Sequence, residues 1–274
     1  MREPVTFRGV GIHTGEPCAA RVCPFEGGIV FALGGARIPA LAPYAVELPR
    51  RTALEAEGVR VSTTEHLLAA LMWCGIGSAL VEVDGPEVPI MDGSAAPFVQ
   101  GLYAAGLQPV PGVRDPVVVT QPVWASEGDA MVAAVPNANG AGRDDSLEVL
   151  FSSSSTHPVL GGQTECLALT RGTFAVEIAP ARTWCLQAEV DSLLASGLAK
   201  GGSLDNALVV GEDGYSGPLR VPREPVKHKI LDLLGDLALL GSGLVARVIA
   251  VGSGHRLNIR LVRALYNAYL ASRA

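Results

Sequence analysis

Three titratable side chains follow one another at intervals of four residues in VKHKILDLLGD, residues 226–236. On a helix, His228 and Asp232 project from one face about one turn apart, and Asp236 lies one further turn along that face. An imidazole nitrogen and a carboxylate oxygen in this arrangement can bind one divalent ion, and a catalytic zinc site needs a third protein ligand. The same spacing also fits a His–Asp salt link on a surface helix.

A candidate third ligand is His66, which follows Glu65 in STTEHLLAAL at the start of a predicted helix. Ser62 and Glu65 have the spacing of a capping box, in which the glutamate satisfies an amide at the helix N-terminus. The capping box leaves His66 unexplained. A carboxylate beside a metal-ligating histidine can also take the proton from a water whose pKa the ion has lowered, as a hydrolase requires.

A further histidine, His255 in GSGHRLNIRL, opens the last predicted helix. A helix N-terminus disfavours an imidazolium, so a protonated His255 needs a carboxylate partner, and Asp236 is available for that role. Such a pair can donate a proton to a leaving amine or stabilise an oxyanion. The alternative is a capping or solvent-facing histidine.

The predicted strands and helices that position these residues fall in separate groups along the chain. Such grouping predicts α+β layers rather than a parallel βαβ sheet. The Pro- and Gly-containing segment 106–116 predicts a linker between two domains, 1–107 and 113–274. The predicted strands lie near 4–10, 17–23, 28–33, 78–83, 116–125, 129–134, 147–151, 206–210 and 244–251. The predicted helices lie near 63–75, 92–106, 171–178, 187–196 and 224–241, with a last one from 254.

Two segments share one pattern, which predicts an internal duplication. Residues 65–85 and 227–254 each contain a charged residue before a histidine, an apolar helix, a Gly-x-Gly turn and a hydrophobic strand ending in glycine. Two copies of one α+β unit would then face each other, each with a histidine near a helix N-terminus. Chance similarity between two amphipathic helix–strand pairs is the alternative.

Composition excludes several classes of protein. The 274 residues are 49% hydrophobic, which suffices for a core, and the net charge of −6 argues against a nucleic-acid partner. The apolar stretches end short of the roughly 20 residues of a membrane span and no leader pattern opens the chain, so we expect a cytoplasmic protein. Five scattered cysteines indicate free thiols. Lys227 and Lys229 flank His228, which predicts either a local positive patch or two solvated lysines.

Seven motifs, in order and over nearly the whole chain, resemble those of the UDP-3-O-acyl-N-acetylglucosamine deacetylases, zinc enzymes of the committed step in lipid A biosynthesis. The motifs are GVGIHTGEP, STTEHLLAAL, EVPIMDGSAAPFV, ARTW, GLAKGGSLDNALVV, HKILDLLGD and GSGHRLN. The resemblance implies two α+β domains of similar topology with the active site between them. It also implies a UDP-linked acylated N-acetylglucosamine as substrate, with zinc, or iron(II) in the cell, as cofactor, and we expect a monomer.

The resemblance assigns roles to particular residues. It implies three zinc ligands: His66, His228 and Asp232. Glu65 matches the general base, and His255, with Asp236 as its partner, matches the residue that protonates the leaving amine or assists the oxyanion.

The resemblance further implies residues that contact the substrate. Thr183 matches a threonine whose hydroxyl supports the tetrahedral intermediate, and Lys229 matches a lysine that contacts the substrate. Trp184 stands where the family usually has a phenylalanine against the glucosamine ring. An insert around 181–206 matches the segment that forms the acyl-chain passage.

Several positions depart from the family pattern or have no assigned role. Pro225 stands where an aromatic residue is expected, and SSTHP (154–158) lacks an aromatic before His157, which would alter the substrate cleft. His13 lies in a well-matched motif without a physical role.

Two other functional classes remain open at this level. A non-catalytic, metal-stabilised binding protein would need none of Glu65, Thr183 and His255, so their presence argues against it. A zinc amidohydrolase acting on another acylated amine draws its support from the changes at Trp184 and Pro225.

Overall fold

The computed structural model describes residues 3–106, 115–137 and 147–273, so most of the predicted linker, 107–114, lies outside the described residues. The described chain contains two mixed sheets packed with helices. The first sheet has the order β1-β2-β8-β3-β4. Its strands are Val5–Val10 (β1), Pro17–Cys23 (β2), Ile29–Leu33 (β3), Ala36–Pro39 (β4) and Ala79–Val83 (β8).

The second sheet repeats this arrangement in the order β10-β11-β16-β12-β13. In each sheet the third and fourth strands in this spatial order are parallel to each other. The other neighbouring strands are antiparallel. A short strand, Val117–Val118 (β9), also pairs with β16. The main strands are Val123–Glu127 (β10), Ala130–Val135 (β11), Leu147–Ser152 (β12), Thr164–Leu169 (β13) and Leu244–Val251 (β16).

The helices repeat as well. Helix α1, Glu65–Trp73, precedes β8, and α2, Ala96–Ala104, follows it. Helix α5, Glu224–Leu237, precedes β16, and α6, His255–Ala271, follows it. Because strand order, strand direction and helix placement all recur, the α+β class and the duplication predicted from the sequence are confirmed.

The two halves meet along α1 and α5, which pack against each other. Every residue of α5 except Lys229 is buried, including His228, Asp232 and Asp236. Apolar side chains of both helices and both sheets form one continuous core. The charged groups of α5 are therefore enclosed by protein rather than spread over a surface helix, which rules out the surface salt link as their explanation.

Two smaller units complete the described fold. A three-stranded antiparallel sheet contains Ala45–Leu48 (β5), Arg51–Ala56 (β6) and Val59–Ser62 (β7). The insert pairs Trp184–Leu186 (β14) in parallel with Leu208–Val210 (β15), with a 3-10 turn at Gln187–Glu189 and helix Val190–Ala195 (α4) between them. Further short helical turns lie at Ala42–Tyr44, Arg171–Thr173 (α3), Phe174–Ile178 and Ala238–Leu240.

Several predicted elements need correction. The helix predicted over 171–178 is α-helical for one turn and then forms a π-helical turn. The strand predicted over 116–125 is two separate strands, β9 and β10. Strands β4 to β7, β13 and β14 were not predicted. Of these, β4, β5, β7 and β14 last only three or four residues, too few to show a clear alternation of apolar and polar side chains. All five cysteines are free thiols.

Candidate metal centre and active site

Three side chains from α1 and α5 converge where the two halves meet. His66 is the second residue of α1, and His228 and Asp232 lie one turn apart on α5. The Nε2 atoms of His228 and His66 lie 3.2 Å and 3.6 Å from the same oxygen, Oδ1 of Asp232. Ligand atoms of all three residues lie within 4.8 Å of one another. The fold thus brings together the three residues predicted as ligands.

The surroundings of these side chains fit a divalent metal ion. Nδ1 of His228 lies 3.0 Å from the carbonyl oxygen of Ala181, which favours the Nδ1–H tautomer and leaves the Nε2 lone pair free to bind a metal. Burial lowers the pKa of His66. Burial opposes ionisation of Asp232, but its neighbours His228 and Lys229 outweigh that effect and hold its pKa well below the ordinary value. Imidazole nitrogens and an ionised carboxylate are donors that zinc binds.

Glu65 lies beside this group as the first residue of α1 and is buried. Its Oε2 accepts a hydrogen bond of 3.1 Å from the backbone N–H of Thr52. The predicted capping box is wrong, because the N-cap residue is Thr64, without a side-chain capping bond in the described structure, and Ser62 ends β7. Burial raises the pKa of Glu65 to about 7, so its carboxylate can accept a proton near neutral pH.

His255 faces Glu65 at the start of α6. Its Nε2 lies 3.8 Å from Oε1 of Glu65 and 3.8 Å from Oδ2 of Asp232. Its Nδ1 lies 3.0 Å from Oδ2 of Asp236, the predicted partner. Burial disfavours the imidazolium, but the carboxylates of Asp236 and Asp232 outweigh it and raise the pKa of His255 to about 9. The ring can therefore hold a proton at neutral pH and give it to a leaving group.

Thr183, Trp184 and Lys229 all line the cavity beside the three ligands. The indole N–H of Trp184 donates to the carbonyl oxygen of Pro225 at 3.0 Å, so two of the positions that depart from the family pattern contact each other. Nζ of Lys229 lies 5.9 Å from the centre of the Trp184 ring and donates to Oδ2 of Asp232 at 3.0 Å. All three predicted substrate contacts thus reach the same cavity.

The cavity has a volume of about 350 Å³ and is open to solvent. Besides the residues above, it is lined by apolar side chains of the insert and its flanks: Cys185, Val190, Leu193, Leu194, Ala199, Leu204, Ala207 and Val209. Leu194 and Leu204 are exposed. A polar site with ionisable groups is therefore joined to an apolar surface, as an amphipathic ligand requires.

A buried ion pair that the sequence did not indicate joins the insert to α5. Nε and Nη2 of Arg182 donate to the two carboxylate oxygens of Glu224 at 2.8 Å and 3.1 Å. The same carboxylate accepts the backbone N–H groups of Arg182 and Arg220 at 2.9 Å and 2.8 Å. Burial opposes the charge of Glu224, but Arg182 outweighs it and lowers the pKa. The pair fixes the residue before Thr183 against the first turn of the helix that carries His228.

A second unpredicted carboxylate, Glu87, explains how the loop containing His13 is held. It accepts the backbone N–H groups of His13 and Thr14 at 3.1 Å and 2.8 Å, and the hydroxyl of Thr63 at 2.8 Å. Thr63 has φ +58°, a strained conformation for a β-branched residue, two positions before Glu65. His13 lines the cavity, and its Nδ1 accepts the N–H of Ala199 in the insert at 3.4 Å. Glu87 and His13 are 74 residues apart in the sequence, so no local pattern indicates their contact.

One expectation near the site is wrong. Lys227 does not form a positive patch with Lys229, because Lys227 is buried and donates to Glu177 at 2.9 Å. His157 is not among the described residues that line the cavity, and its Nδ1 accepts the N–H of Val159 at 3.3 Å within a turn, so its place in a substrate cleft stays a prediction.

Three metal-ligand groups lie between two copies of an α+β unit, beside a buried carboxylate that can accept a proton and a histidine that can donate one. This arrangement is typical of a metal-dependent hydrolase. The family model for UDP-3-O-acyl N-acetylglycosamine deacetylase matches residues 1–267. The chain therefore belongs to this family of metal-dependent amidohydrolases, which acts in lipid A biosynthesis.

Curated relatives agree with the family match. A UDP-3-O-acyl-N-acetylglucosamine deacetylase of Leptospira biflexa is 38% identical over 97% of this chain and 88% of its own length. Proteins of the same name from Anaeromyxobacter dehalogenans and Syntrophotalea carbinolica are 41% and 39% identical, over 94% and 96% of this chain and 84% and 85% of their own lengths. Within the described ranges, none of the helices has the length and apolar character needed to cross a membrane.

Proposed function

We propose that this chain is a zinc-dependent hydrolase that removes the N-acetyl group from UDP-3-O-(3-hydroxyacyl)-N-acetylglucosamine, releasing acetate and a free 2-amino sugar. The observation that carries the proposal is the placement of Glu65 and His255 beside the three metal-ligand groups, with Oε1 of Glu65 3.8 Å from Nε2 of His255. The family match and the apolar part of the cavity support the choice of substrate.

The metal is proposed to be zinc, held by His66, His228 and Asp232; iron(II) is the second candidate, because imidazole and carboxylate ligands suit both ions. When bound, such an ion polarises a carbonyl group and lowers the pKa of a water molecule. Glu65 then acts as the general base. It removes a proton from the attacking water as the water oxygen bonds to the acetyl carbon.

The second half of the reaction needs a proton at the departing nitrogen. His255 supplies it from Nε2, the carbon–nitrogen bond breaks, and the products are acetate and the amine. Asp236 stabilises the imidazolium of His255 until that transfer. The hydroxyl of Thr183 stabilises the negative charge that develops on the carbonyl oxygen.

The rest of the cavity is proposed to bind the remaining parts of the substrate. Trp184 contacts the glucosamine ring, and Lys229 contacts the anionic nucleotide side of the substrate. The apolar insert residues enclose the acyl chain. The domain limits 1–107 and 113–274, a cytoplasmic location and a monomeric state complete the proposal.

Acetate release from a set of substrates tests the proposed reaction. Purified, metal-loaded protein is given UDP-3-O-(3-hydroxyacyl)-N-acetylglucosamine, the same nucleotide sugar without its acyl chain, and other N-acetylated amines. We expect rapid release from the acylated nucleotide sugar and at least about tenfold slower release when the acyl chain is missing, because remote binding energy contributes to turnover. Preferred release from another acylated amine would replace the proposed substrate. Release from none of them, by protein that holds one metal ion, would contradict hydrolysis.

A further inference from the structure

Thr52 contacts the two groups that the proposed reaction uses as base and acid. Its backbone N–H donates to Oε2 of Glu65 at 3.1 Å. Its hydroxyl donates to Oδ1 of Asp236, and the same hydroxyl oxygen lies 3.1 Å from Nδ1 of His255. The residue is completely buried, so it acts on these groups and not directly on a substrate.

The position of Thr52 in the fold makes it a bridge between the two halves. It is the second residue of β6, in the small three-stranded sheet of the first half. Its carbonyl oxygen accepts the N–H of Thr64, directly before Glu65, at 3.3 Å. The hydroxyl reaches 184 residues along the chain to Asp236 on α5. Thr52 therefore joins the base in the first half to the acid and its partner in the second.

The hydrogen bonds around Asp236 show what the hydroxyl contributes. Oδ2 of Asp236 accepts the amide of Asn258 at 2.8 Å and faces Nδ1 of His255 at 3.0 Å. The hydroxyl of Thr52 occupies the other oxygen, so both carboxylate oxygens are fixed and the plane of the group is set. Because a threonine hydroxyl has one proton, donation to Asp236 leaves its oxygen as an acceptor toward the Nδ1–H of His255. The imidazole is then held with Nε2 directed toward Glu65.

We propose that Thr52 is a positioning residue that fixes the orientation of the His255–Asp236 pair relative to Glu65. The proposal of an effect on turnover rests on the deacetylase function proposed above. The proposed effect on the geometry of His255 does not depend on that function. The effect on turnover and the effect on geometry are therefore tested separately.

The substitution Thr52→Val removes the hydroxyl while keeping the side-chain shape and the backbone N–H that donates to Glu65. We expect kcat to fall about 10- to 100-fold, less than the roughly 100- to 10,000-fold contribution of a general acid, because Thr52 orients the acid and is not itself the acid. KM should stay within about threefold of the wild-type value. Metal content should not change. Thr52→Ser, which restores a hydroxyl, should recover kcat to within about fivefold of wild type.

Thr164→Val is the control, because Thr164 is also a strand threonine, its hydroxyl lies 3.0 Å from the hydroxyl of Ser152, and it is not among the described residues that line the cavity. We expect its kcat to stay within about threefold of wild type. A kcat for Thr52→Val equal to wild type, an equal fall in Thr164→Val, or no recovery in Thr52→Ser would overturn a specific effect on turnover.

The geometric claim has a readout independent of activity. The Nδ1 proton of His255, identified by its loss in His255→Gln, should give a strongly downfield proton resonance in the nuclear magnetic resonance spectrum. That resonance should move in Thr52→Val and remain in place in Thr164→Val. If wild-type protein releases no acetate while the resonance moves, the proposed function fails and the positioning role stands. An unmoved resonance in Thr52→Val would overturn the positioning role.

Discussion

Gly235 and Glu65 touch through their backbones where α5 crosses α1. A Cβ atom placed on Gly235 would lie 2.1 Å from the carbonyl oxygen of Glu65, closer than any real contact. The helices can therefore approach this closely only with glycine at position 235. Because α1 carries Glu65 and His66 and α5 carries Asp232, this approach also sets the distances between the proposed metal ligands.

Gly235→Ala should therefore weaken both folding and metal binding. We expect a loss of about 1–3 kcal/mol in the free energy of unfolding, from overpacking, although alanine is the better helix former. Metal affinity should fall as the helices separate. Gly172→Ala is the control, since the nearest heavy atom to a Cβ there is 3.7 Å away. Denaturant unfolding and metal titration of both variants test this, and an unchanged affinity in Gly235→Ala would contradict it.

Glu65 and Asp232 should fail in different ways when substituted. Glu65→Gln should retain the metal and lose about 100- to 10,000-fold in kcat, because only the proton acceptor is removed. Asp232→Ala should lose metal affinity by more than the roughly 10- to 100-fold that the loss of an outer partner causes. Metal content by atomic absorption and rates of acetate release separate the two. Equal loss of metal from both variants would contradict the assigned roles.

The pH dependence of kcat/KM should have two limbs with opposite causes. Glu65 must be ionised to accept a proton, so activity rises with pH through its pKa of about 7, or lower when a cation is bound beside it. His255 must be protonated, so activity falls as pH rises through its pKa of about 9. His255→Gln should remove the descending limb from the residual activity. A descending limb unchanged in that variant would assign the proton donor elsewhere.

Breaking the Arg182–Glu224 pair should destabilise the protein far more than breaking a surface pair. The two side chains are only 10% and 0% exposed, so Glu224→Ala leaves a buried guanidinium without its partner, at a cost of about 3–5 kcal/mol. In the Arg21–Glu82 pair the side chains are 52% and 46% exposed, and Glu82→Ala should cost about 1 kcal/mol or less. Chemical denaturation measures both. Similar losses in the two variants would show that burial does not govern this pair.

The sequence predicted those features that depend on local periodicity. Residues 226–236 predicted a helix with His228 and Asp232 on one face, because helical geometry alone fixes that relation. The repeated helix–turn–strand pattern predicted the duplication that the matching strand orders confirm. His66 lies against the face of α5 that carries His228 and Asp232, because α1 and α5, the corresponding helices of the two repeats, pack against each other.

Contacts between distant residues were beyond the reach of these patterns. The bond from Thr52 to Asp236 spans 184 residues, the Glu87–His13 contact 74 and the Arg182–Glu224 pair 42. A local motif also misled: Ser62 and Glu65 have capping-box spacing, but β7 continues through Ser62 and Glu65 turns toward Thr52. Tertiary contacts, rather than the local motif, determine which groups the carboxylate of Glu65 binds.

The most direct test of the central claim is metal titration of the metal-free protein with acetate release as the readout. Chelator-treated wild-type protein should be inactive, and its activity should rise linearly and level off at one equivalent of zinc. His228→Ala, treated in the same way, should remain inactive at that zinc concentration. Full acetate release by the metal-free protein, or the same zinc response in His228→Ala, would contradict the assignment of these residues to a catalytic metal centre.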